Sequence, residues 1–153
     1  MRIRCDEHVS PVIVDAVRTI ALRPGWEISS VLSVGHGGDA DVHWITKFAE
    51  DGGDAILSAD TDFLKLEPQV NAVFDTGVKV IHLPARWAQA KGRLQASHIL
   101  QWWERIEDTV EKMKSRECYR PDWNVSETGK MKKVVIDFAR AQRKRRITRK
   151  KRD

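Results

Sequence analysis

The chain has 153 residues, of which 41% are hydrophobic, and a formal net charge of +5. A chain of this length forms one globular domain around one core and has no room for a second full domain. It has no apolar run of about 18 residues and no start typical of a signal peptide, which predicts a cytoplasmic protein without membrane partners. Cys5 and Cys118 lack metal-ligand spacing and are expected to be reduced, partly buried thiols.

Charge is divided unevenly along the chain. Residues 1–110 contain 11 Lys and Arg against 16 Asp and Glu, a net charge of −5, whereas residues 111–153 contain 16 against 6, a net charge of +10. Such asymmetry predicts an acidic folded body that carries a basic arm for a polyanion or an acidic partner.

The first elements are a strand over residues 1–5, which runs into Asp6, and a helix that begins at Ser10 and Pro11. Serine is a typical N-cap and proline a typical first helical residue. Pro24 and Gly25 should stop the helix, and a second strand is predicted over residues 27–33. The buried face predicted for the helix is Val12, Ile13, Ala16, Val17 and Ile20.

A second helix should begin near Asp39 or Asp41 and end before Gly52. The apolar residues 55–59 predict a strand that is covered on both faces, as in a parallel sheet. A fourth strand is predicted over residues 78–83 and closed by Pro84. The buried face of the second helix is expected to be Trp44, Ile45, Phe48 and Ala49.

The clearest helix covers residues 97–114, with an apolar stripe at helical spacing. This spacing favours core packing of Trp102 and Trp103 over stacking on nucleic-acid bases. Residues 117–132 are expected to form a loop, and residues 134–138 a further short element. The stripe consists of Ile99, Trp102, Trp103, Ile106, Val110 and Met113.

Residues 140–152 are basic at nine of thirteen positions and are expected to be disordered or loosely helical when alone. An arm that grips RNA or a partner is favoured over a solvated tail without a role, because several cations can neutralise several phosphates. The candidate nucleic-acid-binding residues are Arg143, Lys144, Arg145, Arg146, Arg149 and Lys150.

Alternation of strands and helices predicts an α/β protein, with a central, mainly parallel sheet in a three-layer α/β/α arrangement. We expect the domain to cover residues 1–116 and a basic C-terminal extension to cover residues 117–153. In open sheets of this kind, sites form outside the carboxyl ends of the strands.

Four aspartates are expected at that edge. Asp6, Asp60 and Asp62 follow strand ends, and Asp41 opens a helix. Clustered carboxylates repel each other unless a cation neutralises them, and Mg²⁺ or Mn²⁺ prefers oxygen ligands. The pattern therefore predicts phosphodiester hydrolysis by metal-activated water. Asp6 and Asp60 are the expected direct ligands, and Asp41 and Asp62 bind the ion directly or through water.

Weaker candidates have simpler explanations. A single Asp at a strand-to-helix boundary is usually a cap, and of Asp39 and Asp41 we favour Asp41 as the functional residue. Glu7 should face the other side of the strand and is a secondary candidate. The glycine-rich loop 35–38 can approach a phosphate backbone, but a plain turn is the favoured interpretation.

Together these segments resemble the PIN-like family, which includes VapC-type toxins of bacterial toxin-antitoxin pairs. The family's segments read Asp-Glu-Asn-Leu-Ser-Pro, Asp-x-x-Trp/Ile and Thr-x-Asp-x-Asp-Phe. The resemblance covers about residues 1–90. The matching segments are Asp6-Glu7-His8-Val9-Ser10-Pro11, Asp41-Val42-His43-Trp44 and Ser58-Ala59-Asp60-Thr61-Asp62-Phe63.

The resemblance implies a PIN fold, Mg²⁺- or Mn²⁺-dependent cleavage of RNA, and a cognate antitoxin that blocks the site; it also makes a homodimer plausible. All four acidic positions match, and Ser58 matches a hydroxyl residue near the metal. Two residues depart from the pattern: His8 stands for the usual Asn and Ser58 for the usual Thr.

Three other functions fit part of the pattern. Asp6, Glu7 and Asp60 mimic the phosphoacceptor site of response regulators, but the last strand ends in His82 without the required Lys. Asp60-Thr61-Asp62 mimics the Asp-x-Asp motif of a phosphatase, which should follow the first strand. A non-catalytic RNA- or partner-binding module with the same fold is the third alternative.

Overall fold

The computed structural model describes residues 1–33, 41–122 and 128–153, and these ranges alternate strands with helices. The glycine-rich loop 35–38 and Asp39 lie outside the described residues. The strands are β1 (Arg2–Cys5), β2 (Glu27–Ser30), β3 (Ala55–Ser58), β4 (Lys79–His82), β5 (Cys118–Arg120) and β6 (Lys132–Val134). The helices are α1 (Pro11–Ile20), α2 (Asp41–Glu50), α3 (Glu67–Thr76), α4 (Ala85–Ala88), α5 (Gly92–Lys112) and α6 (Phe138–Arg152).

One sheet joins the strands in the order β2-β1-β3-β4-β5-β6. All neighbouring pairs are parallel except β5 and β6, which are antiparallel. Each residue of β3 is buried, as expected of a central strand that is covered on both faces. The mainly parallel sheet predicted from the sequence is therefore confirmed.

Two hydrophobic clusters cover the two faces of the sheet. On one face, Ile3 and Leu57 pack with residues of α1 and α5, including Val17 and Trp102. On the other face, residues of α2 and α3 pack against the apolar side chains of β3 and β4, and Ile56 is fully buried there. The three-layer α/β/α fold is confirmed.

Helix α1 begins as predicted, because the Ser10 hydroxyl accepts a hydrogen bond of 3.3 Å from the Val12 amide. Its predicted buried face is partly wrong. Val12 is 75% exposed and Ile20 is 72% exposed, whereas Val14 is buried beside Ile13 and Val17. Val12 falls on the side opposite the buried residues, and Ile20 ends the helix.

Helix α3 was not predicted. Pro68 is tolerated in its first turn, but its buried face includes the polar side chains of Gln69 and Asn71, which weaken the apolar pattern. The helix ends at Gly77, whose φ of 77° is the left-handed conformation that closes many helices.

Several predicted boundaries also differ from the structure. The second strand ends at Ser30 and not at residue 33, and the long helix begins at Gly92 and not at residue 97. The predicted loop 117–132 contains β5, a strand of three residues, two of which pair with β4. So short a strand carries too little periodicity to be recognised from sequence.

The basic segment 140–152 lies within α6, a helix that is docked on the rest of the chain; its expected disorder when alone stays a prediction. Ala141 is buried, and its carbonyl accepts a hydrogen bond of 3.0 Å from Asn71 of α3. Arg145 donates to both carboxylate oxygens of Asp75, at 3.0 and 3.4 Å. These contacts fix the first half of α6 on α3.

Cys5 and Cys118 are free, buried thiols, as predicted. Burial raises the pKa of both, that of Cys118 to about 12. Across the described parts of the chain, no helix is both long and apolar enough to cross a membrane.

Replacing Trp102 with Ala should destabilise the protein by roughly 3–5 kcal/mol, because this ring is fully buried and packs edge-on against Trp87 at 5.6 Å. Urea unfolding followed by far-UV circular dichroism measures the loss. Leu94→Ala is the control on the same helix, where the side chain is 46% exposed, and should change stability by less than about 0.5 kcal/mol. Equal effects would contradict core packing of Trp102.

Candidate active site

Asp6 lies just past the carboxyl end of β1. Its backbone amide donates a 3.0 Å hydrogen bond to the Leu57 carbonyl, which extends the pairing of β1 with β3 by one residue. Because parallel strands end at the same edge of the sheet, Asp6 is brought next to the residues that follow β3. Its side chain is turned inward and only 3% exposed.

Hydrogen bonds surround the buried carboxylate of Asp6. The Ser58 hydroxyl donates to it, and so do the backbone amides of His8 at 3.1 Å, Ala59 at 3.3 Å and Asp60 at 3.4 Å. Burial raises the pKa of Asp6, while the bonds from Ser58 and the amides oppose the rise without cancelling it. A bound cation or a proton would relieve the desolvation of this carboxylate.

Asp60 is joined to Asp6 through Ser58. The Asp60 amide donates to the Ser58 hydroxyl oxygen at 3.2 Å, and the Asp60 carboxylate accepts from the Asp62 amide at 2.9 Å. His8 approaches the same carboxylate, with Nε2 3.9 Å from Oδ2. We call Asp6, Ser58 and Asp60 the carboxylate cluster.

The other two predicted aspartates have different surroundings. Asp62 is exposed and forms an ion pair of 3.3 Å with Lys65. Asp41 opens α2, where its carboxylate accepts from the Trp44 indole at 3.0 Å and from the Gln69 amide at 2.7 Å. Asp41 therefore links α2 to α3 in the structure.

The remaining candidates are spread out. Glu7 is exposed at the turn after β1, whereas Ser58 is fully buried in the cluster. Arg145 is paired with Asp75, and the other candidate arm residues are exposed on α6: Arg143, Lys144, Arg146, Arg149 and Lys150.

His82 is a neighbour of the cluster that sequence reasoning did not propose as a site residue. Its Nε2 lies 2.8 Å from the Asp60 carbonyl, and its Nδ1 lies 2.6 Å from a guanidinium nitrogen of Arg120. A carbonyl only accepts and a guanidinium only donates, so His82 is neutral with its proton on Nε2. Its position at the end of β4, the strand next to β3, was the available signal.

The donor set suits a hard divalent cation, because the cluster offers only carboxylate and hydroxyl oxygens. The structure brings the backbone amide of Asp60 to the Asp6 carboxylate, so the two aspartates are neighbours at this edge of the sheet. Within residues 1–33, 41–122 and 128–153, no group of three or more His, Cys, Asp or Glu side chains is arranged to hold a metal ion. Chemically the residues fit Mg²⁺ or Mn²⁺, with two carboxylates as the core of the site.

A separate cavity of about 610 Å³ lies beside β1 and β2. It is lined by Arg2, Arg4 and Arg18 together with the Trp26 ring, and it contains none of the candidate aspartates. The Arg4 guanidinium is already engaged there, because it stacks over Phe48 at 4.7 Å and donates to Ser29. The cavity therefore has no part in the carboxylate chemistry.

Comparison with protein families gives a match over more than half of the chain. The model of a PIN-like domain family matches residues 1–85, which include β1 to β4 and the carboxylate cluster. The chain therefore belongs to the PIN-like domain family, which is part of a nuclease-type superfamily. No curated protein and no solved structure matches the chain.

Acidification should test the neutral state of His82. Burial lowers its pKa, the Asp60 carbonyl opposes this effect and Arg120 reinforces it. Below the usual pKa of about 6.5, the unfolded imidazole takes up a proton that the folded one refuses until the pH falls through its lower pKa. The stability that neutral His82 contributes is therefore fully present above about pH 6.5 and is lost as the pH falls.

In a buffer with EDTA, the free energy of unfolding should fall more for the wild type than for His82→Gln between pH 7.5 and 5.5. Urea unfolding at both pH values measures the difference. The other histidines are common to both proteins and cancel. Equal declines in the two proteins would contradict a buried neutral His82.

Proposed function

We propose that the protein is a divalent-metal-dependent endoribonuclease. The observation that carries the proposal is the carboxylate cluster at the carboxyl ends of two adjacent parallel strands. There the Ser58 hydroxyl donates to the buried Asp6 carboxylate and accepts from the backbone amide of half-buried Asp60. This is the edge where open α/β sheets bind their ligands.

Asp6 and Asp60 would hold Mg²⁺ or Mn²⁺. The Ser58 hydroxyl would orient the Asp6 carboxylate and hold the backbone of Asp60 beside it. Asp62, whose amide caps the Asp60 carboxylate, and Asp41, at the start of α2, would bind the ion through water or position substrate. When bound, such an ion lowers the pKa of the attacking water and stabilises the charge that develops on the phosphate. Glu7 and Asp39 remain secondary candidates.

RNA is the favoured substrate because the family resemblance implies RNA cleavage and because residues 111–153 carry a net charge of +10, which suits a polyanion. We further propose that residues 1–116 form the nuclease domain and that residues 117–153 form the extension. In the structure the extension supplies β5 and β6 to the same sheet and α6 to one helix layer. The two parts thus share one body.

A non-catalytic RNA- or partner-binding module is the second candidate. It is favoured by one observation, namely that the described residues contain no group of three potential metal ligands. The phosphoacceptor alternative is weaker, because the end of β4 carries His82, which is neutral and bonded to the Asp60 carbonyl. The phosphatase alternative requires Asp60 and Asp62 after the first strand, whereas they follow β3.

Purified protein should cleave labelled RNA when Mg²⁺ or Mn²⁺ is present and should stop when EDTA is added. Asp60→Asn should lower the rate by at least roughly 100-fold, the size expected when one charge-stabilising group is lost. Single-stranded DNA of the same sequence is the parallel substrate, resolved on denaturing gels.

Asp15→Asn is the matched control, because Asp15 is an exposed carboxylate on α1, outside the carboxylate cluster, and forms an ion pair with Arg18. It should cleave like the wild type. If the wild type cleaves neither substrate with either ion, and calorimetry detects no metal binding, the nuclease proposal fails and the binding module is favoured.

A toxin role makes a separate prediction. Induced expression should arrest growth of a bacterial host, and a neighbouring gene that encodes the antitoxin should relieve the arrest. Asp60→Asn expressed to the same level should leave growth unaffected. A toxin role is contradicted if this variant also arrests growth, or if a wild type that cleaves RNA does not arrest growth. Size-exclusion chromatography separately tests whether the protein is a homodimer.

A further inference from the structure

A basic groove lies between the candidate site and α6. The chain runs from the carboxylate cluster through Asp62, whose ion pair with Lys65 spans 3.3 Å. Lys65 lines a cavity of about 330 Å³ together with Arg140 and Lys144 of α6. The groove therefore begins at Lys65, five residues after Asp60 in the chain, and reaches the basic helix.

The cations of this groove are available to a ligand. Arg140 and Lys144 are exposed, and among the described residues neither forms a side-chain ion pair. Glu67 and Asp137 also line the groove and keep their negative charges, since their partners, Asn71 and the backbone amide of Arg140, are neutral donors; the three cations outnumber these two acids. An anion entering the groove would thus meet two unpaired cations.

Helix α6 holds these cations in place. Its first half is fixed on α3 by Ala141 and by the Arg145–Asp75 ion pair, whereas Arg140 and Lys144 point to the groove on the side that faces Lys65. Arg145 therefore anchors the helix, and Arg140 and Lys144 are left to bind a ligand. Two cations one helical turn apart can contact phosphates of one strand.

We propose that the groove of Lys65, Arg140 and Lys144 binds backbone phosphates of the nucleic-acid strand whose scissile phosphate lies at the carboxylate cluster. This inference rests on the proposed function, which it extends by giving the strand a path across the protein. Contacts to phosphate carry no base information, so the groove holds the strand without selecting its sequence.

Binding can be measured without cleavage. Fluorescence anisotropy with a labelled 20-nucleotide RNA in EDTA, at several salt concentrations, compares the wild type with Arg140→Gln/Lys144→Gln. The variant should bind roughly tenfold more weakly or worse, and its slope of log K against log salt should be shallower by about 1.4, or 0.7 for each lost phosphate contact.

Arg105→Gln/Lys112→Gln is the matched control. It removes the same two charges from exposed positions on α5, which line a different cavity. It should bind within about twofold of the wild type with an unchanged slope, because net charge alone adds little to specific contacts. If both double variants weaken RNA binding equally, or if neither weakens it, the proposal that the groove binds phosphates is overturned.

Two further measurements complete the test. Arg140→Lys/Lys144→Arg keeps both charges and should retain binding; loss of binding by this variant, with a wild-type circular dichroism spectrum, would overturn phosphate contact. Arg140→Gln/Lys144→Gln should weaken the binding of single-stranded DNA of the same sequence as much as it weakens the binding of RNA. If only RNA binding is weakened, the phosphate contacts are rejected in favour of contacts to the sugars.

Failure of this inference and failure of the proposed function look different. A wild type that binds RNA through the groove and never cleaves it rejects the nuclease and keeps the groove. A wild type that cleaves RNA, beside an Arg140→Gln/Lys144→Gln variant that binds as tightly as the wild type, rejects the groove and keeps the nuclease.

Discussion

The buried carboxylate of Asp6 is the constraint on which the organisation of the site depends. A carboxylate can be buried only when hydrogen bonds or a cation replace the lost water. Here the donors are the Ser58 hydroxyl, the His8 amide after β1 and the Ala59 amide after β3. The parallel register of these strands, with Cys5 opposite Leu57, is what brings the donors to the carboxylate. The shape of the segment after β3 therefore follows from the need to solvate one charge.

A second layer of contacts holds that segment from the other side. His82 donates to the Asp60 carbonyl, and Arg120 fixes the imidazole by donating to its second nitrogen. Arg120 belongs to β5, which lies beyond the residues 1–85 that match the PIN-like family. The support of Asp60 thus extends outside the part of the chain that defines the family, and a domain cut at residue 85 would lose it.

Local pattern predicts the parts of this structure that depend on neighbours in sequence. The strand that precedes Asp6, the apolar run before Asp60 and the core position of Trp102 could each be recognised from spacing. Hydrogen bonds between polar side chains that are distant in the sequence could not be recognised in this way. The bond of Asp41 to Gln69 depends on the packing of α3, a helix that the sequence does not reveal because its buried face is partly polar.

The basic helix α6 likewise depends on contacts that are distant in the sequence, and there is a physical reason for this. Nine cations in thirteen residues repel one another, and the segment has too little apolar surface to fold alone. Only the anchors on α3, including Arg145 with Asp75, fix its first half, while Ile147 and the residues after it are exposed. Repulsion among these cations opposes the helix, and a polyanion along it would relieve that repulsion. Because whatever binds the folded form stabilises it, helix order and phosphate binding are linked in α6.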